Sequence, residues 1–178
     1  MKKKRGFTVV EMLVTVAILA VLIVMALQMG RSAVQKATLT AAINEFIADF
    51  NYARQLASRE NRYVAFVFND TGTAYTIRVL RRVSLNPTLE TSYVDHKTHS
   101  PLGGEPCLKD TTDFAVNSMG VIRQYPVDPN ANPITVTMDF YKAQEGAEWE
   151  TSYDPSLVDY QKTITIFPTG GIKIEDSK

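Results

Sequence analysis

The sequence has little cysteine and little histidine. It contains one cysteine, Cys107, and two histidines, His96 and His99, among 178 residues. One cysteine excludes an intrachain disulfide, and two histidines three residues apart leave no readable Ser/His/Asp constellation. The glycine pairs at 103–104 and 170–171 lack the flanking pattern of a phosphate-binding loop. These absences predict a protein that is not an enzyme and needs no cofactor.

Two stretches contain metal-ligand residue types without the spacing of a metal site. Residues 95–107 include an aspartate, both histidines and the cysteine, but no paired cysteines or helix-borne ligands, so we interpret the histidines as solvated loop residues. Asp128 starts a segment similar to a calcium loop, with Asp139 at the twelfth position and Pro133 where the loop needs glycine. Asx-turns explain this segment more simply. We therefore predict no bound metal.

Proline is absent from residues 7–60, so nothing there forces a helix to break. Residues 12–27 are all apolar except Thr15, and extending the run back to Val9 gives nineteen residues whose only charge is Glu11. Nineteen helical residues span close to the thickness of a bilayer core. No clear small-residue cleavage site follows the run, which argues against an ordinary secretory signal. The run therefore predicts a transmembrane helix.

Four basic residues, Lys2, Lys3, Lys4 and Arg5, precede the apolar run. Such a cluster keeps the N-terminus in the cytoplasm and sends the rest of the chain outward. A carboxylate inside lipid is costly and usually has a partner, so Glu11 either has one or lies at the headgroup level. Without the four basic residues, acidic side chains exceed basic ones by four, which is not typical of a general nucleic-acid binder.

The N-terminal stretch resembles that of type IV prepilins and pseudopilins. The shared features are a short basic leader that ends in glycine, then Phe7, a hydroxyl residue, two aliphatic residues and Glu11, then a long apolar helix. The resemblance implies that a prepilin peptidase cuts between Gly6 and Phe7, methylates the new Phe7 amine, and leaves Glu11 as the fifth mature residue. That amine can pair with the Glu11 carboxylate of a neighbouring subunit only in the correct register. We therefore hypothesise that Glu11 sets register during assembly.

Two later segments are similar to one branch of that family. Residues 52–61, which lead into a predicted strand, look like the helix end of H-type pseudopilins and FimT- and FimU-like minor pilins, and residues 167–171 look like their closing hairpin. Residues 84–162 align with nothing. The membrane segment lacks the proline that many pilins carry, and one cysteine cannot close a disulfide loop. Both absences favour a minor, low-copy or tip-associated subunit over a major fibre subunit.

The periodicity predicts an α+β fold. Beyond Gly30, apolar residues recur at helical spacing at Leu39, Ile43, Phe46, Phe50, Ala53 and Ala57. We expect a long N-terminal α-helix, membrane-spanning in its first half and amphipathic in its second, packed on an antiparallel β-sheet head. The predicted regions are a leader at 1–6, a transmembrane and assembly segment at 7–30, an amphipathic helix at 31–62, and a β-rich periplasmic head at 63–178.

Alternating patterns predict about six strands in the head. Residues 63–68 and 74–83 flank an Asn-Asp-Thr-Gly turn and predict a hairpin. Short strands are expected at 114–116 and 121–125, a longer one at 134–141, and a closing hairpin at 163–174. Residues 84–113 and 142–161 read as irregular connections.

The sequence favours a non-enzymatic subunit that is inserted in the bacterial inner membrane and extracted into a type IV pilus or a type II secretion pseudopilus. The expected partners are a prepilin peptidase, other pilin or pseudopilin subunits, and inner-membrane lipid. Trp149 and Tyr153, in an acidic segment, are either interface anchors or packed on the head. Two alternatives stay open: a DNA-uptake minor pilin, and an anchored periplasmic domain that never polymerises. Scattered arginines more often form a solvated surface than a nucleic-acid site, so nucleic acid is not the favoured partner. The DNA alternative would use seven arginines: Arg54, Arg59, Arg62, Arg78, Arg81, Arg82 and Arg123.

Overall fold

A computed structural model describes residues 8–82, 92–101, 107–128, 130–143 and 158–176. It begins with one α-helix, α1, Val9–Glu60. The absence of internal proline allows this uninterrupted helix, as predicted. The helix ends where Asn61 adopts a positive φ of 52° and the Arg62 amide donates to the Ala57 carbonyl over 3.1 Å, which is the Schellman closure of a helix C-terminus.

The strands of the described residues form two antiparallel sheets. Their bounds are β1 Val64–Phe68, β2 Tyr75–Arg82, β3 Ser92–His99, β4 Leu108–Lys109, β5 Phe114–Val116, β6 Ile122–Gln124, β7 Val136–Ala143, β8 Val158–Ile166 and β9 Ile172–Asp176. One sheet has the order β3-β2-β1-β5-β6, and the other has the order β4-β7-β8-β9. The predicted α+β class with an antiparallel head is confirmed. The hairpins β1–β2 and β8–β9 also pair as the alternation predicted.

The core lies between the second half of α1 and the two sheets. The predicted helical stripe is confirmed, because all six of its residues are buried, and Leu56 is buried with them. Phe46 contacts rings from both sheets, with centroid distances of 5.7 Å to Phe66 and 5.5 Å to Phe140. Aromatic pairs at this spacing add to the stabilisation that burial gives. The apolar face of α1 therefore joins the two sheets into one core.

The prediction of an irregular connection at 84–113 is wrong for part of that range. Residues 92–99 form β3, which pairs with β2, and residues 108–109 form β4, which pairs with β7. Most β3 side chains are exposed, so the strand has no buried face to produce an alternating pattern, and β4 is too short to give one. The expected irregular stretch at 142–161 is also too long, because β7 reaches Ala143 and β8 begins at Val158.

Internal contacts divide the chain into two compact units, residues 1–37 and residues 38–178. The second unit contains both sheets and the buried half of α1. Cys107 is fully buried within its core, as expected for a small apolar side chain.

Candidate assembly site and head surfaces

The N-terminus of α1 is closed by a reciprocal pair of side chains. The Thr8 amide donates to Glu11 Oε2 over 2.8 Å, and the Glu11 amide donates to Thr8 Oγ1 over 3.2 Å. The Thr8 hydroxyl also donates to Glu11 Oε2 over 3.0 Å. This arrangement is a capping box, in which two orphan amides of the first helical turn find acceptors. The Glu11 carboxylate is thereby turned back toward Thr8, the second residue after the predicted cleavage point.

The sequence contains a signal for this cap. Thr8-Val9-Val10-Glu11 is the Thr-x-x-Glu pattern of a capping box directly before an apolar run. The charge of Glu11 in an apolar run predicts only a role in register or a position at the headgroup level, and the cap adds a third role. The predicted cleavage and methylation residues, Gly6 and Phe7, lie outside the described residues, so their geometry stays a prediction.

The first half of α1 exposes its apolar side chains. Within the described residues, Val9–Ala26 is the one window long and apolar enough to cross a membrane, and none of it is buried. Leu19, for example, is 57% exposed. A soluble protein rarely exposes a continuous apolar surface of this extent. This surface is therefore suited to lipid or to the helices of other subunits.

The two segments that resemble the minor-pilin branch meet in space at Arg54. Its Nη1 donates to the Gly170 carbonyl over 3.3 Å, and its guanidinium lies 5.9 Å from the centroid of the Phe50 ring. Gly120 and Gly170 both have positive φ, and a Cβ added to either would lie 3.2 Å from an Arg54 guanidinium atom. Glycine at these two turns therefore lets the hairpins β5–β6 and β8–β9 approach the same arginine.

A row of polar contacts joins α1 to β3. Lys97 Nζ lies 2.8 Å from Asp49 Oδ1, and His99 Nε2 lies 3.2 Å from Glu45 Oε2. Asp49 also accepts the Tyr75 hydroxyl over 2.9 Å and is almost completely buried. Burial of the Tyr75 phenol away from water opposes its ionisation, and the neighbouring Asp49 carboxylate opposes it further. The pKa of Tyr75 is therefore well above its usual value.

A β-bulge explains why neighbouring residues of β3 both contact the helix. Ile77 pairs with Lys97 and Arg78 pairs with Asp95, so His96 is the extra residue of the bulge. The His96 ring stacks on Tyr52 at 5.6 Å between centroids, and Nε2 lies 2.6 Å from the Tyr52 hydroxyl. The two histidines therefore lie on a strand and not in a loop, so that part of the interpretation is wrong, although His96 is exposed to solvent. Each of them makes a specific contact with α1.

The arginines considered for DNA binding are largely engaged with protein groups. Arg59 pairs with Glu60, and Arg123 donates to the Ala131 carbonyl. Arg78 donates to Asp95 over 2.6 Å and lies over the Tyr93 ring at 4.3 Å. With Arg54 held at Gly170, four of the seven have local partners, and the DNA-uptake alternative stays untested.

The segment similar to a calcium loop uses its acidic residues locally. Asp128 Oδ1 accepts the Asn130 amide over 2.8 Å, which is the Asx-turn expected from the sequence. Asp139 lies on β7 and accepts hydrogen bonds from Gln161 and Thr163 over 2.7 and 2.6 Å. No group of three or more potential ligands is gathered anywhere in the part of the chain that the structure describes.

The predicted contact residues Trp149 and Tyr153 lie outside the described residues, so nothing tests their role.

Comparison with known proteins adds one finding, at the N-terminal end of the chain. Residues 1–27 match the family described as the prokaryotic N-terminal methylation motif. No curated protein and no solved structure matches the chain. The chain therefore carries, at residues 1–27, the N-terminal methylation motif that serves as the signal of type IV pilins, and this motif and the α+β arrangement are consistent with a prepilin-like protein.

Proposed function

We propose that this protein is a non-enzymatic minor pilin or pseudopilin of the H-type, FimT- or FimU-like branch. It is assembled through its N-terminal helix into a type II secretion pseudopilus or a type IV pilus. Before assembly its N-terminus is cytoplasmic and its head periplasmic. The observation that carries this proposal is the methylation motif at residues 1–27, continuous with an apolar helix segment whose side chains are exposed.

The physical logic of assembly starts at the leader. Cutting after Gly6 removes four positive charges and leaves one amine at Phe7. An amine and a carboxylate are each costly in an apolar helix bundle, and the cost falls when they pair. Glu11 of one subunit and Phe7 of its neighbour meet only in the correct axial register, so the pair selects that register.

The capping box gives Glu11 a second task. Before assembly its carboxylate accepts hydrogen bonds from the Thr8 amide and hydroxyl, and the Thr8 hydroxyl oxygen accepts the Glu11 amide. Because Thr8 directly follows Phe7, this orientation directs the carboxylate toward the end of the helix where the new amine forms. The cap therefore prepares the group that the register contact uses.

The first experiment determines the mature N-terminus. The chain is recovered from membranes of cells with and without an active prepilin peptidase, and its intact mass and N-terminal sequence are measured. We expect a chain that begins at Phe7 and carries one added methyl group only when the peptidase is active. An intact leader in the presence of active peptidase would leave a simple membrane anchor, and the filament proposal would fall.

A series at Glu11 separates the cap from the charge. Gln at position 11 can still serve as the third residue of a capping box, whereas Ala loses both the cap and the charge. If the charge sets register, Glu11→Gln and Glu11→Ala both reduce incorporation into filaments, by roughly tenfold or more for an uncompensated amine in lipid. Thr8→Val loses the cap, at about 1 kcal/mol, and keeps the charge.

The measurement is the ratio of the subunit in sheared filaments to the subunit in membranes. Thr8→Val is expected to incorporate far better than Glu11→Gln. Membrane insertion should be unchanged in all three variants, which controls for loss of the protein. Normal incorporation of Glu11→Gln would show that the carboxylate acts only as a cap.

A further inference from the structure

The turn between β5 and β6 and the turn between β8 and β9 meet beside Arg54. The Ile122 amide donates to the Pro168 carbonyl over 3.0 Å, and a Cβ added to Gly170 would lie 3.0 Å from the Gly120 carbonyl oxygen. Such a contact is too close for most side chains, so glycine is needed where the two turns touch. The two turns and α1 therefore form one continuous surface around Arg54.

The Arg54 guanidinium is held in position from two sides. Its Nη1 donates to the Gly170 carbonyl over 3.3 Å, and its central carbon lies 5.9 Å from the centroid of the Phe50 ring. No carboxylate among the described residues pairs with it. A guanidinium has five N–H donors, so one bond to a carbonyl leaves donors for a ligand. Arg54 is therefore a positioned cation whose charge is not compensated within the described residues.

Arg54 lines a groove of about 510 Å³ between α1 and residues 118–120. It is the one ionisable side chain of this groove, and its neighbours on α1 are Asn51, Gln55 and Ser58. Their amide and hydroxyl groups can donate hydrogen bonds to an oxygen ligand. We call this surface the Arg54 groove. Its charge and its donors complement a single carboxylate.

Two exposed apolar side chains lie on the turns that meet at Arg54. Met119 is 81% exposed, and Phe167, where the second turn begins, is 41% exposed. Asn117 Oδ1 accepts the amides of Met119 and Val121, both over 2.9 Å, so Met119 is displayed on an ordered backbone. Arginine, methionine and aromatic residues are enriched in protein interfaces. Their combination here favours a protein ligand over a free anion.

We propose that the Arg54 groove binds an aspartate or glutamate side chain of a different pilin-type subunit, next to an apolar residue that packs on Met119. The inference rests on the proposed function, because the neighbours of a low-copy subunit in a filament are other kinds of subunit. It also gives a task to the two segments that look like the minor-pilin branch. Residues 52–61 supply Arg54, and residues 167–171 supply Gly170, the residue that positions it.

The charge of the groove favours a carboxylate over a nucleic acid. Binding to a phosphate backbone depends on several lysines or arginines that neutralise successive phosphates. The Arg54 groove offers one arginine beside an exposed methionine. A planar guanidinium and a planar carboxylate can form two parallel hydrogen bonds. One acidic side chain therefore satisfies the groove, and the apolar side chain beside it suits a protein.

The first test is a photo-cross-link in cells that assemble filaments. Gln55, an exposed residue of the groove, is replaced by benzoylphenylalanine. Asn44, which is exposed on the same helix outside the groove, is replaced in the control. From position 55, and not from position 44, we expect an adduct with a different chain that carries its own N-terminal methylation motif. No adduct, or an adduct only with a second identical copy, would overturn the proposal.

The cross-linked peptide of the partner identifies the ligand. We expect it to contain an aspartate or a glutamate, and changing that residue to its amide should reduce the adduct by roughly tenfold. A cross-linked peptide without an acidic residue, or one whose amide variant forms the adduct as well as before, would contradict the proposal.

A matched pair of variants at Ser58 tests the role of charge in this chain. Ser58 lies one helical turn after Arg54, so Ser58→Glu places a carboxylate where it can pair with Arg54 within the subunit. Ser58→Gln has the same size and no charge. In the chain with the photo-cross-linker at position 55, Ser58→Glu should reduce the adduct by roughly tenfold, and Ser58→Gln should reduce it far less. Equal reduction by the two variants would show that the groove does not select a carboxylate.

A charge exchange tests the pair directly. Arg54→Glu should abolish the adduct, and replacing the partner's acidic residue by arginine should restore it. Thermal unfolding in detergent shows whether Arg54→Glu leaves the head folded. Failure to restore the adduct with a folded head would contradict the proposal. If Arg54→Glu unfolds the head, the Ser58 pair decides the question, because it leaves Arg54 and its contact with Gly170 in place.

The two proposals fail separately. If the leader is not cut but the adduct forms and responds to the Ser58 pair, the groove binds a carboxylate of another membrane-anchored chain without a filament. If the mature N-terminus is correct but no adduct forms at position 55, the subunit function stands and the Arg54 groove is not a docking site.

Discussion

The two halves of α1 use the same secondary structure for opposite purposes. In Val9–Ala26 the apolar side chains are exposed on all sides of the helix. In the second half, one stripe is buried and the other faces carry polar residues such as Asn51 and Gln55. A helix apolar all round needs lipid or other helices, whereas a one-sided helix completes a soluble core. The first half is therefore built for association, and the second is built for the stability of the head.

The largest expected effect compares two leucines on the same helix. Leu39 is 1% exposed and Leu19 is 57% exposed. Leu39→Ala should lower the free energy of unfolding of the head by about 2–5 kcal/mol, because it leaves a cavity in the core. Leu19→Ala should change it by less than about 0.5 kcal/mol. Urea denaturation of both variants in detergent measures the free energy of unfolding of the head. Equal losses in the two variants would contradict the different roles assigned to the two halves of α1.

A smaller effect compares polar residues in the two halves. Asp49→Ala removes the acceptor of the buried Tyr75 hydroxyl and the partner of Lys97, which should cost about 1–3 kcal/mol. Thr15 donates only to the Met12 carbonyl of its own helix, so Thr15→Ala should leave the head as stable as before. Thermal unfolding of the pair tests this. A loss on Thr15→Ala as large as that on Asp49→Ala would show that the apolar half also stabilises the head.

The smallest expected effect appears at high pH. The pKa of Tyr75 is raised in the folded head, so the unfolded chain loses this proton first, near pH 10. Stability from this group is complete below about pH 10 and falls by up to about 1.4 kcal/mol per pH unit above it. Tyr75→Phe should cost about 1 kcal/mol near neutral pH and flatten this alkaline loss. If the free energy of unfolding fell equally steeply above pH 10 in the native chain and in the variant, another titrating group would be responsible.

Much of the fold followed from local patterns. The stripe from Leu39 to Ala57 predicted the buried face of α1, and the alternation around residues 69–72 predicted the first hairpin. The strand β3 could not be predicted, because an edge strand with exposed side chains has the composition of a loop. The Thr8–Glu11 cap, by contrast, can be predicted from the sequence, because the Thr-x-x-Glu spacing directly before an apolar run is a local signal.

The N-terminal motif, the continuous helix and the two hairpins could be predicted from local sequence, because each depends on residues that are close together in the chain. The contact between Arg54 and Gly170, which is 116 residues away, could not be predicted in this way, and neither could the bulge that directs His96 and Lys97 onto α1. These contacts depend on how helix and sheets pack, and on backbone irregularities that no residue spacing predicts. The surface that displays Met119 beside Arg54 exists only after that packing is complete.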